Sequence, residues 1–208
     1  MRIGVLALQG DFSLHVRALA RCGVETAEVR KPEQLADADG LVIPGGESTT
    51  LLKLMEDWGF VSALERYHAK GRPIFGTCAG LILLAKEVDN PPQFALGLID
   101  VGVERNAYGR QRESFEARGV ATFSGRRVPI EMVFIRAPRI RRLGPEVRTL
   151  AEHRGETVMA QDGLVLVATF HPELTDDLTV HRHFCDIAVE AAERRPEREA
   201  VAPGVMNP

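Results

Sequence analysis

Apolar and polar positions fall into short blocks whose period changes along the chain. Arg2–Leu8 is a nearly unbroken apolar run that stops at Gln9-Gly10, as a buried strand does before a turn. Phe12, Val16, Leu19 and Ala20 recur at helical spacing, which predicts a helix over Phe12–Cys22 closed by Gly23. Thr26–Val29 predicts a second strand and Gly40–Ile43 a third, ended by Pro44-Gly45-Gly46. Leu51, Leu52, Met55 and Trp58 form the stripe of the next helix, with Ser48 or Thr49 as its cap. Val61–Lys70 is another helix, Pro73–Gly76 a fourth strand and Ala79–Ala85 a further helix. Strands alternating with helices argue an α/β chain with a mainly parallel sheet.

The second half changes period. Leu96–Val103, Ala121–Phe123, Val128–Ile135, Val147–Ala151, Thr157–Gln161 and Leu164–Phe170 are short strand candidates between glycine, proline and charged turns. They predict additional antiparallel strands. A last helix over Val180–Glu193 carries Val180, Phe184, Ile187, Ala188 and Ala191 on one face. Arg194–Pro208 has charged runs and three prolines but no apolar period, so it reads as a disordered tail. The 208 residues thus predict a single domain, residues 1–193, and a tail, 194–208.

Charge narrows the class. Lys and Arg number 26 against 29 Asp and Glu, a net charge of −3, which argues against nucleic acid held by bulk charge. Leu81–Ala85 and Leu164–Phe170, the longest apolar runs, are too short to span a bilayer. The first residues lack the apolar length and cleavage site of a signal peptide, so the expected compartment is the cytoplasm. Cys22, Cys78 and Cys185 are sparse and widely spaced, neither a disulfide framework nor a zinc site, so no metal is expected.

One cysteine differs from the others. Gly76-Thr77-Cys78-Ala79-Gly80 lies between a predicted strand and a predicted helix, the thiol form of a nucleophile elbow. Such a turn sets the sulfur at a helix N-terminus, which favours the thiolate. The N–H of Ala79 then faces an oxyanion beside the sulfur. A packing cysteine in a glycine-rich turn is the competing reading. His171 ends an apolar run, where α/β folds place their sites, and Glu173 lies two residues on. In extended backbone the two side chains share one side, so Glu173 can orient the ring while His171 moves the proton. His15, His68, His153, His181 and His183 read as surface or packing residues. Gly45-Gly46 exposes backbone N–H groups, and Gly46 is the better candidate for a second oxyanion donor. There is no phosphate-binding lysine at the required spacing.

Pro44-Gly45-Gly46-Glu47-Ser48, Gly76-Thr77-Cys78-Ala79-Gly80 and Phe170-His171-Pro172-Glu173, in that order, resemble the class I glutamine amidotransferases. Glu104–Gln111, Ser114-Phe115-Glu116 and Phe134-Ile135-Arg136-Ala137-Pro138 resemble one branch of them, the glutaminase subunits of pyridoxal 5′-phosphate synthase. The resemblance implies a three-layer, flavodoxin-like α/β fold and a Cys78–His171–Glu173 triad that hydrolyses L-glutamine without a cofactor. It implies an oxyanion hole from Gly46 and Ala79. It also implies a glutamine site of Gly46, Glu47, Ser48, Arg105, Ile135 and Arg136. The implied partner is a synthase subunit that takes the ammonia, in an assembly of twelve copies of each, and which raises a weak activity. Ser13-Leu14 stands before His15 where the branch usually has Arg-Glu, on the segment that faces the synthase. A self-sufficient cysteine hydrolase or peptidase, and a binding module with a vestigial triad, are the competing functions.

Overall fold

The computed structural model describes residues 1–105 and 114–194. The first half alternates as expected. It runs β1 (Arg2–Leu6), α1 (Phe12–Arg21), β2 (Glu25–Val29), β3 (Gly40–Ile43), α2 (Ser48–Asp57), α3 (Phe60–Ala69), β4 (Ile74–Thr77) and α4 (Ala79–Leu84). A 3-10 turn, Pro32–Asp37, joins β2 to β3. The second half is β5 (Ala85–Asp89), β6 (Ile99–Glu104), β7 (Ser114–Phe123), β8 (Arg126–Ile135), β9 (Arg139–Leu143), β10 (Arg148–His153), β11 (Glu156–Asp162), β12 (Val165–Ala168) and α5 (Thr179–Arg194).

Among the described residues, nine strands form one sheet in the order β2-β1-β3-β4-β12-β11-β10-β7-β8. The first five are parallel and the last four antiparallel. A small sheet, β5-β6-β9, stands apart. Period-two alternation builds the layers. Leu41, Ile43, Ile74, Val165 and Val167 face one core with Leu51, Met55, Phe60 and Leu81 of the helices. Val42, Phe75, Leu166 and Ala168 face the other with Leu19, Val180 and Phe184. Helices α1 and α5 therefore cover one side, and α2, α3 and α4 the other. This is the expected three-layer architecture.

Four expectations need correction. Glu47 caps α2, because its carboxylate reaches the Thr50 N–H at 2.7 Å; Ser48 and Thr49 already lie in or at the side of the first turn. Trp58 sits beyond the helix end and is exposed rather than part of the stripe. Strand β7 starts at Ser114, not Ala121. It pairs with β8 through an unbroken ten-residue register, with mostly exposed side chains that give no apolar signal. Strands β5 and β9 were not expected at all, since Lys86-Glu87 and Arg141-Arg142 place charge in them. Arg194 closes α5, and the rest of the expected tail lies outside the described residues, as does the Asn106–Gln111 part of the Glu104–Gln111 motif.

The order reverses at β1, whose neighbours are β2 and β3. The crevice beyond the carboxyl ends at such a reversal is where α/β sheets bind ligands. The segments after β1, β3, β4 and β12 open there. They carry Gln9-Gly10, Gly45-Gly46, Cys78 and His171.

Candidate active site

Cys78 is the hinge between β4 and α4. Its backbone lies at φ 48°, ψ −101°, a conformation L residues rarely hold. The glycines around it are dictated by space. A Cβ on Gly80 would stand 2.2 Å from the Ile43 carbonyl oxygen, and one on Gly76 would stand 2.6 Å from the backbone of Gly80. Only a chain without side chains there can press the strand and helix together tightly enough to make the elbow. Ala79 is the first residue of α4, so its N–H has no acceptor within the helix. The Cys78 sulfur is nearly buried and lies 4.0 Å from the Ile135 carbonyl oxygen.

His171 follows β12 and is anchored by its backbone N–H, which donates to the Val133 carbonyl at 2.8 Å. Its Nδ1 stands 2.8 Å from Glu173 Oε1. The pair meets as expected, but a 3-10 turn, Pro172–Leu174, brings Glu173 back rather than an extended backbone. Pro172 opens that turn, where its fixed φ suits the first position. Burial disfavours the imidazolium. The Cys78 sulfur and the Glu173 carboxylate outweigh it and push the His171 pKa up to about 10. Burial also works against the Glu173 anion, but His15 and His171 pull that carboxyl well below the usual range. Cysteine, histidine and glutamate thus lie in one line of contact, with His171 in the middle, at the carboxyl ends of β4 and β12.

The turn after β3 closes over this chain. A Cβ on Gly45 would stand 2.3 Å from the His171 ring and 3.3 Å from Cys78 Cβ. The Gly45 carbonyl lies against Gly10, where a Cβ would come within 1.8 Å of the oxygen. In a trans peptide the Gly46 N–H then points away from Gly10. Gly46 itself has φ 149° and lies under the Gln9 amide, whose oxygen accepts the Glu47 N–H at 3.1 Å. Ser48 is buried and donates its hydroxyl to Gln93 at 3.1 Å. Arg105 donates to the Thr49 hydroxyl at 3.0 Å and pairs with Glu47 at 3.6 Å. Burial resists the charge on Glu47, yet the Thr50 and Thr49 N–H groups keep its carboxyl below the ordinary value. Gly46, Glu47, Ser48 and Arg105 therefore surround one end of α2. Ile135 reaches the site through its carbonyl, and exposed Arg136 follows it at φ 42°.

Two histidines read from sequence as surface or packing groups belong to this centre. His15 on α1 and His181 on α5 are both fully buried. His15 Nε2 is 3.3 Å from Glu173 Oε2, and its Nδ1 is 3.0 Å from His181 Nε2. The only signal available in the sequence was that each falls on the apolar side of its helix, one position before or after a core residue. His183 turns the other way and stacks on Phe123 at 3.9 Å, so the two rings of His181-Arg182-His183 do point apart.

The other cysteines are packing groups. Burial first, then Cys22, pushes the Cys185 thiol up to about 12, and burial also raises that of Cys22. A cavity of about 690 Å³ opens elsewhere, against Gly71, Gln161, Gly163 and His183. Among the described residues there is no cluster fit to hold a metal ion and no helix long and apolar enough to cross a membrane.

Comparisons with known proteins place the chain in a family. A curated relative, the pyridoxal 5′-phosphate synthase subunit PdxT of Geobacillus sp. (strain WCH70), is 50% identical over 196 residues, covering 92% of this chain and 98% of its own. PdxT of Koribacter versatilis (strain Ellin345) is 53% identical over 184 residues, 88% of this chain and 94% of its own. A crystal structure described as a glutamine amidotransferase superposes with a TM-score of 0.84 at 46% identity, covering 90% of this chain and 98% of that one. PurLQS from Thermotoga maritima, at 15% identity and a TM-score of 0.67 over 91% of this chain and 96% of that one, shares the fold. The pattern of the SNO glutamine amidotransferase family matches residues 5–190, and the chain belongs to that family.

Proposed function

We propose that this chain is the glutaminase subunit of a pyridoxal 5′-phosphate synthase, hydrolysing L-glutamine to L-glutamate and ammonia. One observation carries the chemistry: a cysteine on a strained elbow is coupled to a buried histidine whose other nitrogen is held by a carboxylate at 2.8 Å. The PdxT relatives are named as subunits of that synthase, which supports a synthase partner and glutamine as substrate.

His171 Nε2 takes the Cys78 proton, and the thiolate attacks the amide carbon of glutamine. The carbonyl π bond becomes an oxyanion, met by the N–H groups of Gly46 and Ala79. Loss of one such donor typically costs about 3 kcal/mol of barrier. The imidazolium then protonates the departing nitrogen, which leaves as ammonia, and Cys78 holds a thioester. His171 next takes a proton from water, the hydroxide attacks the thioester, and glutamate leaves as the thiol is restored. Glu173 keeps the His171 Nδ1–H pointed inward and offsets the positive charge.

Glutamine brings an α-carboxylate and an α-ammonium. Glu47 and Arg105 supply one charge of each sign at the end of α2, 3.6 Å apart. Ser48, Ile135 and Arg136 complete the pocket. The Gly46 peptide is pinned through Gly45 and Gln9 to the turn after β1, so a partner that presses on this turn can set the oxyanion hole. The assembly holds twelve copies of each subunit and works in the cytoplasm.

Two outcomes follow. Ammonia release is expected to be slow from the chain alone and to rise steeply when the cognate synthase is added. Equal rates with and without it would instead favour a self-sufficient hydrolase. A glutamine-mimicking electrophile is expected to label Cys78 and spare Cys22 and Cys185, which peptide mapping by mass spectrometry reads directly. Labelling spread over all three would argue for a vestigial triad.

A further inference from the structure

The Glu173 carboxylate has two oxygens, and the triad uses one. Oε1 meets His171, while Oε2 is buried with no hydrogen bond of good geometry. An unpaired carboxylate oxygen in a dry core is costly. His15 Nε2 stands 3.3 Å from it and equally 3.3 Å from the Thr77 hydroxyl.

The proton positions follow from counting partners. Burial holds the pKa of His181 down at about 3, so that ring is neutral and has one N–H. Its Nδ1 is buried without a partner. A bare acceptor is tolerated there more readily than a bare N–H, so the proton sits on Nε2. That N–H donates to His15 Nδ1 at 3.0 Å. His15 then carries its proton on Nε2, facing Thr77 and Glu173. The reverse order would leave an unpaired N–H on His181 and set a lone pair of His15 against the carboxylate.

We infer that His15 is a positioning residue for the triad: its Nε2–H fixes the free oxygen of Glu173, and His181 fixes His15. Three helical elements and one strand end contribute. The groups facing the pair are Glu173 from the 3-10 turn, Asp177 just before α5, and Thr77 at the end of β4. The Phe75 ring stands edge-on to both imidazoles at 6.4 Å and keeps water out. The consequence reaches His171 through Glu173. A carboxylate free to rotate loses its hold on Nδ1, and the imidazolium loses part of its stabilisation.

This inference rests on the proposed triad, and its tests separate the two. Ring nitrogen NMR of the wild-type chain is expected to show His15 protonated on Nε2 and bare on Nδ1; the opposite tautomer overturns the inference without touching the triad. In the complex with synthase, His15→Met is expected to lower kcat about tenfold. Its KM should stay within about twofold, and the alkaline limb of the pH profile should fall by about one pH unit. His15→Gln keeps an N–H toward Glu173 and should lie close to wild type. A purely structural role would lower the yield of folded protein and leave the limb in place, and an unmoved limb in a folded His15→Met complex overturns the inference. If that variant does not fold, His181→Met is read the same way, and the tautomer decides in any case. A wild-type complex that releases no ammonia would sink the triad reading instead.

Discussion

Cys78→Ala removes glutamine hydrolysis altogether while leaving the chain folded and able to bind its partner. Nothing else in the site can replace the sulfur. Cys22 and Cys185 belong to the core between α1 and α5, and burial keeps their thiols protonated. The change costs little structure, because alanine keeps the same Cβ at the same strained φ and loses a sulfur whose nearest hydrogen-bond acceptor is 4.0 Å away. The expected loss in ammonia release, measured with synthase present, is about 10⁴-fold or more, since residues of a triad act as a unit. A melting curve and a binding isotherm with synthase check that only chemistry was lost. Undiminished turnover by the folded variant would remove Cys78 from the mechanism.

Why Cys78 was legible and His15 was not has a physical basis. The elbow is a local object. Strand, glycine, cysteine, glycine and helix are all within nine residues, and steric crowding writes itself into the sequence as Gly76 and Gly80. His171 and Glu173 are also near neighbours, so their pairing could be expected from spacing alone, though the 3-10 turn that joins them could not. The parallel half of the sheet was legible for a similar reason. Strands β1, β3, β4 and β12 are buried on both faces and read as apolar runs. The first part of β7 was hidden because every second side chain is exposed and Glu116 and Arg118 break the apolar run, and β9 because three of its five residues are arginine, leaving only register with a neighbour to define them. His15 and His181 are 166 residues apart, and only the packing of α1 on α5 brings them to Glu173. A single histidine on an amphipathic helix carries no mark of such a partner.

The same distinction explains the proposed glutamine pocket. Gly46, Glu47 and Ser48 come from one turn and arrive together. Arg105 comes from the end of β6 in the small sheet, yet its guanidinium reaches Thr49 and Glu47 at the start of α2. Its place depends on how that small sheet packs against the helical layer. A cation in the site was required by the substrate, but which arginine supplies it was a matter of tertiary structure.

Gly45→Ala is expected to cut catalysis about 10²-fold or more, without adding or removing a single functional group. Gly45 needs no unusual backbone angle, so alanine meets no conformational penalty there. What it meets is His171. The added methyl would stand 2.3 Å from Cε1 and 3.0 Å from Nδ1 of the ring, and 3.3 Å from Cys78 Cβ. The ring cannot yield sideways, because Nδ1 is tied to Glu173 at 2.8 Å and the backbone N–H to Val133 at 2.8 Å. The turn cannot yield backwards, because the Gly45 carbonyl is already pressed on Gly10. Relief comes only by tilting the imidazole off the sulfur or by lifting the peptide that carries the Gly46 N–H. Misalignment of the base and loss of an oxyanion donor each cost about 10²-fold or more. Glutaminase assay of the Gly45→Ala complex should therefore show a fall in kcat of at least about 10²-fold, with folding and partner binding preserved. Wild-type kcat in that variant would mean that the turn after β3 stands clear of the reacting groups, and the oxyanion role of Gly46 would fall with it.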